Sequence, residues 1–272
     1  MMRRIDGKAI AARIRERVKD RVSKLHSTPG LAILLVGNDP ASHVYVNLKQ
    51  KACEDVGIHF EKYEYPADVA TSELAVTIEK LNARPDIHGI LVQLPLPSQD
   101  ENAVIAAIDP RKDVDGFHPR NQELLAQGKP CLASATALGI AKLIDATGAE
   151  LEGLRAAVIG SELFTQSVRI LLAERGVTTD RLDPNDSLDA AGTYDILVSV
   201  VGKPGLVAPE IVKDGAIVID VGTTRVAEAI VGDVSPEVEK EKTGWISPVP
   251  GGVGPMTVAM LLVNVLKAYQ LK

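Results

Sequence analysis

The chain has 272 residues, 46% of them hydrophobic and 24% charged, with a formal net charge of −6. That is enough material for one large or two modest cores, in the ordinary composition of a globular protein. The acidic balance argues against nucleic acid as a partner, because phosphate contacts need a basic surface. No stretch approaches the roughly 20 apolar residues of a membrane span, and the opening Met-Met-Arg-Arg-Ile-Asp-Gly-Lys lacks the apolar run of a signal peptide. A cytoplasmic protein is expected, with neither membrane nor nucleic acid as partner. Cys53 and Cys131 are too few for a disulfide framework or metal cluster. His26, His43, His59, His88 and His118 are scattered without metal-ligand spacing, so no metal is expected.

Taken in chain order, a helical pattern over 5–25 precedes a continuously apolar run at 31–37. Helices at 43–56 and 72–82 follow, then an apolar run at 89–93 and a helix at 138–147. The second half repeats the rhythm: a run at 156–160, a helix at 164–175, and runs at 195–201 and 216–221. A last helix at 256–271 is apolar on several faces and is expected to be buried, crossing back onto the first half. Continuous apolar runs suit strands covered on both faces, and alternating β and α elements imply parallel sheets with right-handed crossovers. The fold class is therefore α/β, as two α/β units with mostly parallel sheets. The Gly- and Pro-containing stretch 113–130 breaks the rhythm and reads as a hinge between them.

Four segments carry chemistry-bearing residues. Tyr45 and Lys49 lie four apart on the helix after the first apolar run, so they share one face beside a strand-to-helix junction, where α/β folds bind ligands. Such a pair also fits an ordinary amphipathic face with its ammonium in water. Gln93-Leu-Pro-Leu-Pro97 directly follows a buried strand that two prolines cannot continue, which displays Gln93 at the same edge as Lys49. In Lys112-Asp-Val-Asp-Gly-Phe-His-Pro119, Asp113 and Asp115 face opposite ways if extended. At most one of them then points into a site, and an Asx turn is the other reading. In Pro248-Val-Pro-Gly-Gly-Val-Gly-Pro-Met-Thr257, Gly252 and Gly254 let backbone amides approach a ligand, and Pro255 is expected to start a helix. Either an anion or polar-ring site or a plain tight turn fits this loop.

Together, Val-Gly-Asn-Asp-Pro-Ala-Ser with Tyr45-Val-Asn-Leu-Lys49, Gln93-Leu-Pro-Leu-Pro, Lys-Asp-Val-Asp-Gly-Phe-His-Pro and Pro-Val-Pro-Gly-Gly-Val-Gly-Pro-Met-Thr resemble the bifunctional methylenetetrahydrofolate dehydrogenase/methenyltetrahydrofolate cyclohydrolase family almost end to end. The resemblance implies a folate/catalytic domain at 1–117 and 255–272 and a Rossmann-like cofactor domain at 118–254. It implies oxidation of 5,10-methylene-tetrahydrofolate with NADP and hydrolysis of the methenyl product to 10-formyl-tetrahydrofolate, in one-carbon metabolism and purine biosynthesis. By the same resemblance Lys49 moves protons and activates water, Gln93 orients its amine, Asp115 pairs with the pterin edge and Tyr45 stacks near the folate rings. The loop of Gly252, Gly254 and Pro255 closes over the folate, and the chain forms a homodimer through its cofactor domain.

The second half departs from the family pattern. Where members carry Gly-(Arg or Ala)-Ser-x-x-Val-Gly-x-Pro, this chain reads Gly160-Ser-Glu-Leu-Phe-Thr-Gln-Ser-Val168. The cofactor loop positions are thus Gly160, Ser161 and Glu162, joined by Thr223 of Val221-Gly-Thr-Thr-Arg225. Glu162 replaces a serine, Gln166 a glycine and Val168 a proline, which argues against tight pyrophosphate binding. Asp180 stands about twenty residues past Gly160, the spacing of a ribose-binding acid, with Arg181 offsetting its charge. Three readings stay open: a full bifunctional enzyme; chiefly a cyclohydrolase with weak, NAD-shifted or lost dehydrogenase activity; and a non-catalytic folate-binding or assembly partner.

Overall fold

The computed structural model describes residues 1–227 and 229–271. In chain order the elements begin with β1 (Arg3–Arg4), α1 (Gly7–Val22), β2 (Gly30–Val36), α2 (Pro40–Val56), β3 (His59–Tyr65), α3 (Thr71–Ala83), β4 (Gly89–Val92) and α4 (Glu101–Ala106). They continue with α5 (Pro119–Ala126), α6 (Ala135–Asp145), β5 (Arg155–Gly160), α7 (Glu162–Ala173), β6 (Thr178–Leu182), β7 (Ile196–Val200) and β8 (Ile217–Asp220). The last are β9 (Thr224–Val226), β10 (Ala229–Val231), α8 (Pro236–Glu241), β11 (Trp245–Ile246) and α9 (Val253–Gln270). Two compact units result: Met1–Ala11 with Thr136–Thr257, and Ala12–Ala135 with the chain from Val258 onward.

The second of these holds a parallel three-stranded sheet in the order β3-β2-β4. Every residue of β2 is buried, as a central strand covered on both faces requires. Leu34, Leu74, Ile78 and Ile90 pack together in its core, each contributing roughly 1.5–3 kcal/mol by leaving water. Helix α2 starts sharply, because the Asp39 carboxylate accepts the Ser42 amide and Pro40 occupies the first turn. It stops at Gly57, whose left-handed φ of 81° lets its N–H reach the Cys53 and Glu54 carbonyls. From Val258 onward α9 belongs to this unit, with Leu261, Leu262, Val265 and Leu266 all buried.

The other unit carries a parallel six-stranded sheet ordered β1-β11-β8-β7-β5-β6. From β5 the chain steps outward to β6, then returns to β7 on the opposite side. That reversal is the point at which open α/β sheets bind ligands, outside the carboxyl ends of the strands. A small antiparallel hairpin, β9 with β10, stands apart from it.

Several boundaries differ from the sequence reading. The stretch 113–130 is no hinge: it contains α5 and lies wholly within the three-stranded unit, which runs on to Ala135. Residues 1–11 fall in the six-stranded unit instead of a 1–117 domain, because Arg3 and Arg4 pair in parallel with Trp245 and Ile246. Pro255 does not start the last helix, which begins at Val253. Strand β3 is no continuous apolar run, since at a sheet edge its residues are half-buried or exposed.

Candidate active site

Val46, Lys49, Cys53 and Val56 fall on the buried stripe of α2, at the three- and four-residue spacing that faces a core. The structure thus places an amine where an apolar side chain is the norm, and Lys49 is only 7% exposed. Its Nζ donates to Gln93 Oε1 at 2.8 Å. Gln93 follows β4 directly, its backbone N–H donating to the Leu34 carbonyl at 2.9 Å. The side-chain Nε2 donates to the Leu94 carbonyl at 2.8 Å, which turns the amide oxygen toward the amine. Leu94–Pro95 is a cis peptide. Tyr45 stands one turn before Lys49, half-buried.

Burial pushes the Lys49 ammonium below its ordinary pKa, against the opposing pull of the Asp115 charge. Burial likewise pushes Asp115 up to about 6, although Lys49 draws it down. Both partners are thereby moved toward neutrality, the condition for proton transfer near pH 7. Cys53, one turn beyond Lys49, is pushed up to about 12 by burial. It stays a protonated packing residue.

The two aspartates have separate environments. Asp113 is 2% exposed and accepts the Gly116 amide at 3.0 Å, the His118 amide at 2.8 Å and Asn121 Nδ2 at 3.0 Å. It closes an Asx-type turn. Gly116 in that turn has φ 77°, and a Cβ there would lie 2.3 Å from the Ala133 carbonyl carbon and the Ser134 amide nitrogen. The Asp115 carboxylate, half-buried, takes part in none of these bonds. Lys49, Gln93 and Asp115 share the three-stranded unit, whereas Gly252, Gly254 and Pro255 belong to the six-stranded one. Gly252 is accounted for by packing: its N–H donates to the Pro248 carbonyl at 2.7 Å, and a Cβ would meet that same oxygen at 2.7 Å. Gly254 has open space where a Cβ would stand, in the first turn of α9 with Pro255.

In the six-stranded unit the carboxyl edge is built for close backbone approach. A Cβ on Gly160 would sit 2.7 Å from the Val200 carbonyl oxygen, and α7 begins after the single intervening residue Ser161. The helix amino terminus therefore opens at the switch point, an arrangement that fits a dinucleotide phosphate. Ser161 is exposed and makes no side-chain cap bond. Glu162 is also exposed, but Arg169 donates to it at 2.6 Å and Arg181 Nε lies 3.5 Å from its other oxygen. Arg181 also donates to the Gly160 carbonyl at 2.9 Å. Thr223 is exposed in the loop after β8. Asp180 is not at this edge: it stands mid-strand opposite Ala157, accepting the Tyr194 hydroxyl at 2.8 Å with Arg155 3.5 Å away. Counting residues from Gly160 does not measure depth in a strand, and Asp183, the first residue past β6, takes the edge position.

Buried polar residues that the motif reading passed over brace both sites. Asp233, fully buried, accepts the Ser199 hydroxyl at 2.7 Å and the Val201 and Lys203 amides at 2.9 and 2.7 Å. Asp220 accepts the amides of Gly222, Asp233 and Val234, and burial pushes it up to about 6. These carboxylates shape the loops after β7 and β8. Asn264 does similar service in the other unit. A polar residue inside an apolar stretch, such as Asn264 in Met-Leu-Leu-Val-Asn-Val-Leu, is the signal that could have found it.

Residues 5–115 match the catalytic domain of the tetrahydrofolate dehydrogenase/cyclohydrolase family, and residues 134–272 match its NAD(P)-binding domain. The chain is 46% identical over 276 aligned positions to the bifunctional protein FolD of Geotalea uraniireducens, covering 98% of this chain and 99% of that one. Its structure is similar to the crystal structure of the bifunctional FolD enzyme of Campylobacter jejuni, with a TM-score of 0.94 at 38% identity, covering 100% of this chain and 99% of that one. The Trypanosoma brucei FolD structure, complexed with NADP cofactor and an inhibitor, also gives a TM-score of 0.94, at 36% identity over 99% and 98% of the two chains. With both domains matched in order and the likeness running end to end, the chain belongs to the tetrahydrofolate dehydrogenase/cyclohydrolase family, the bifunctional enzymes of folate one-carbon metabolism.

Proposed function

We propose that this chain oxidises 5,10-methylene-tetrahydrofolate to the 5,10-methenyl cation with NADP and hydrolyses the cation to 10-formyl-tetrahydrofolate, using Lys49 as the proton-transfer residue. The observation that carries this reading is a buried Lys49 whose Nζ is held by Gln93 Oε1 at 2.8 Å. In the hydrolysis, water adds to the bridging carbon of the cation while a neutral Lys49 accepts one of its protons. The hydroxyl of the adduct then loses its remaining proton as its C–O bond becomes a carbonyl and the bond from that carbon to N5 breaks; that proton passes to N5, and the formyl group stays on N10. Burial lowers the ammonium's pKa, and the substrate's positive charge lowers it further. Gln93 fixes the amine's direction, Tyr45 supplies a ring on which the folate stacks, and an ionised Asp115 accepts paired hydrogen bonds from the pterin edge.

In the oxidation, bound NADP supplies the hydride acceptor. Gly160, Ser161 and the amino terminus of α7 would hold its phosphates, with Thr223 on the neighbouring loop. The working form in this proposal is a cytoplasmic homodimer feeding purine biosynthesis. One observation favours a second reading, a cyclohydrolase with weak or NAD-shifted hydride transfer: Glu162 sets a carboxylate in the first turn of α7. The experiment is a pair of assays on purified protein. Methylene-tetrahydrofolate with NADP should yield methenyl absorbance together with NADPH. Hydrolysis of methenyl substrate with NADP reduced slowly or not at all, or with NAD reduced in its place, would select the second reading, in which hydride transfer is weak, NAD-shifted or lost.

A further inference from the structure

Beyond the residues that face the folate in this proposal, the segment bearing Asp115 is held from several directions while its carboxylate is left for a ligand. Asn264, on α9 and only 1% exposed, donates through Nδ2 to the Val114 carbonyl and to the Ala133 carbonyl, both at 2.8 Å. Val114 directly precedes Asp115. Ala133 belongs to the segment that approaches Gly116 too closely for any Cβ. The Ala135 amide donates to the Asp115 carbonyl at 3.2 Å, and Gln122 Nε2 donates to the Gly116 carbonyl at 2.6 Å. One buried amide thus joins the 113–116 turn to the 131–135 segment, at the point where Asp115 leaves the backbone.

A buried carbonyl left unpaired is costly, and a single Nδ2 satisfies two of them. A side chain serving only to pack α9 would be apolar, like its neighbours Val263 and Val265. We infer that Asn264 is a positioning residue: it fixes the direction of the Asp115 carboxylate, and through it the affinity for the pterin, without touching substrate. The inference rests on the reading of Asp115 as the pterin-binding group.

The test is a double-mutant cycle on the full chain, measuring KM and kcat for methenyl-tetrahydrofolate hydrolysis in wild type, Asn264→Leu, Asp115→Asn and the double variant. Asn264→Leu is expected to raise KM about tenfold while kcat changes less than about threefold, and to move the acid midpoint of KM from about 6 toward an ordinary carboxylate value. In the Asp115→Asn background the same change should add little. Asn264→Ser, which keeps one donor on a smaller side chain, should give an intermediate KM and serves if the leucine variant fails to fold. An unchanged KM and midpoint with only a lower Tm, or KM effects that multiply in the double variant, would overturn the inference. A wild-type protein whose KM ignores Asp115→Asn would instead sink the assignment of Asp115.

Discussion

Lys49 Nζ donates to Gln93 Oε1 at 2.8 Å, and Gln93 Nε2 is itself tied to the Leu94 carbonyl at 2.8 Å. The amine cannot rotate away without breaking this bond to the amide oxygen, and Lys49 itself is only 7% exposed. This bond joins a helix residue to the first residue past a strand of the same unit. The predictions below follow from it and from the charges around it.

Gln93→Leu removes the acceptor and keeps the volume. The rate of methenyl hydrolysis is expected to fall about 100-fold, within the range that a positioned proton-transfer group supplies, with little change in Tm. Stopped-flow absorbance on the methenyl band measures it. A rate within threefold of wild type would show that the hydrogen bond does not orient the amine.

Asp115 sets an acid limb. Its carboxyl is raised to about 6, so the ionised form proposed to bind the pterin edge is lost as pH falls below about 6. KM for folate should therefore climb from pH 7 to pH 5, and Asp115→Asn should give a raised KM that is flat with pH. A limb that persists in the variant would assign it to another group.

Glu162 is expected to weaken nucleotide binding. Glu162→Ser removes a carboxylate from the start of α7 and frees Arg169 and Arg181, which it now engages at 2.6 and 3.5 Å. Phosphate at a helix amino terminus gains from both changes. Because the side chain is exposed and screened, a gain of roughly threefold to tenfold in NADP affinity is expected. Calorimetric titration decides, and tighter binding by the wild type would contradict this account of the loop.

Asp220 makes stability depend on pH. Its folded carboxyl, near 6, lies above the ordinary 3.8, so the native state holds this proton more tightly than the unfolded chain. The group's favourable contribution is complete below about pH 4 and is lost as pH rises through 6, an amount of roughly 3 kcal/mol. Denaturant unfolding of wild type and Asp220→Asn across pH 4 to 7 reads it. The variant should lose most of that slope, and an unaltered slope would exclude Asp220 as its source.

What could be read in the sequence follows from where the physics is local. Strands such as β2 and β5 announce themselves because both faces are buried, whereas the helical pattern places the start of α2 at 43, three residues past the Pro40 that follows its Asp39 cap. The neighbourhood of Lys49 and Gln93 was legible because Gln93 is the first residue past β4 and Lys49 lies on the helix that follows β2. Other features depend on contacts distant in sequence. Nothing near Arg3 reveals its pairing with Trp245, and Asn264 meets Val114 across 150 residues of chain. Asp180 and Asp183 differ by three positions, yet only the strand register tells which one reaches the sheet edge. The Asp113–Asp115 alternation implies that at most one carboxylate faces a site, and only the turn around Gly116, which engages Asp113 alone, tells the two apart.

The most direct test is the disappearance of methenyl-tetrahydrofolate absorbance, with no nicotinamide present, in wild type and Lys49→Met. The account predicts rapid hydrolysis by the wild type and a loss of about 1,000-fold in the variant, which stays folded and still binds folate. Hydrolysis at near wild-type rate by Lys49→Met would contradict it, because the proton chemistry would then reside elsewhere.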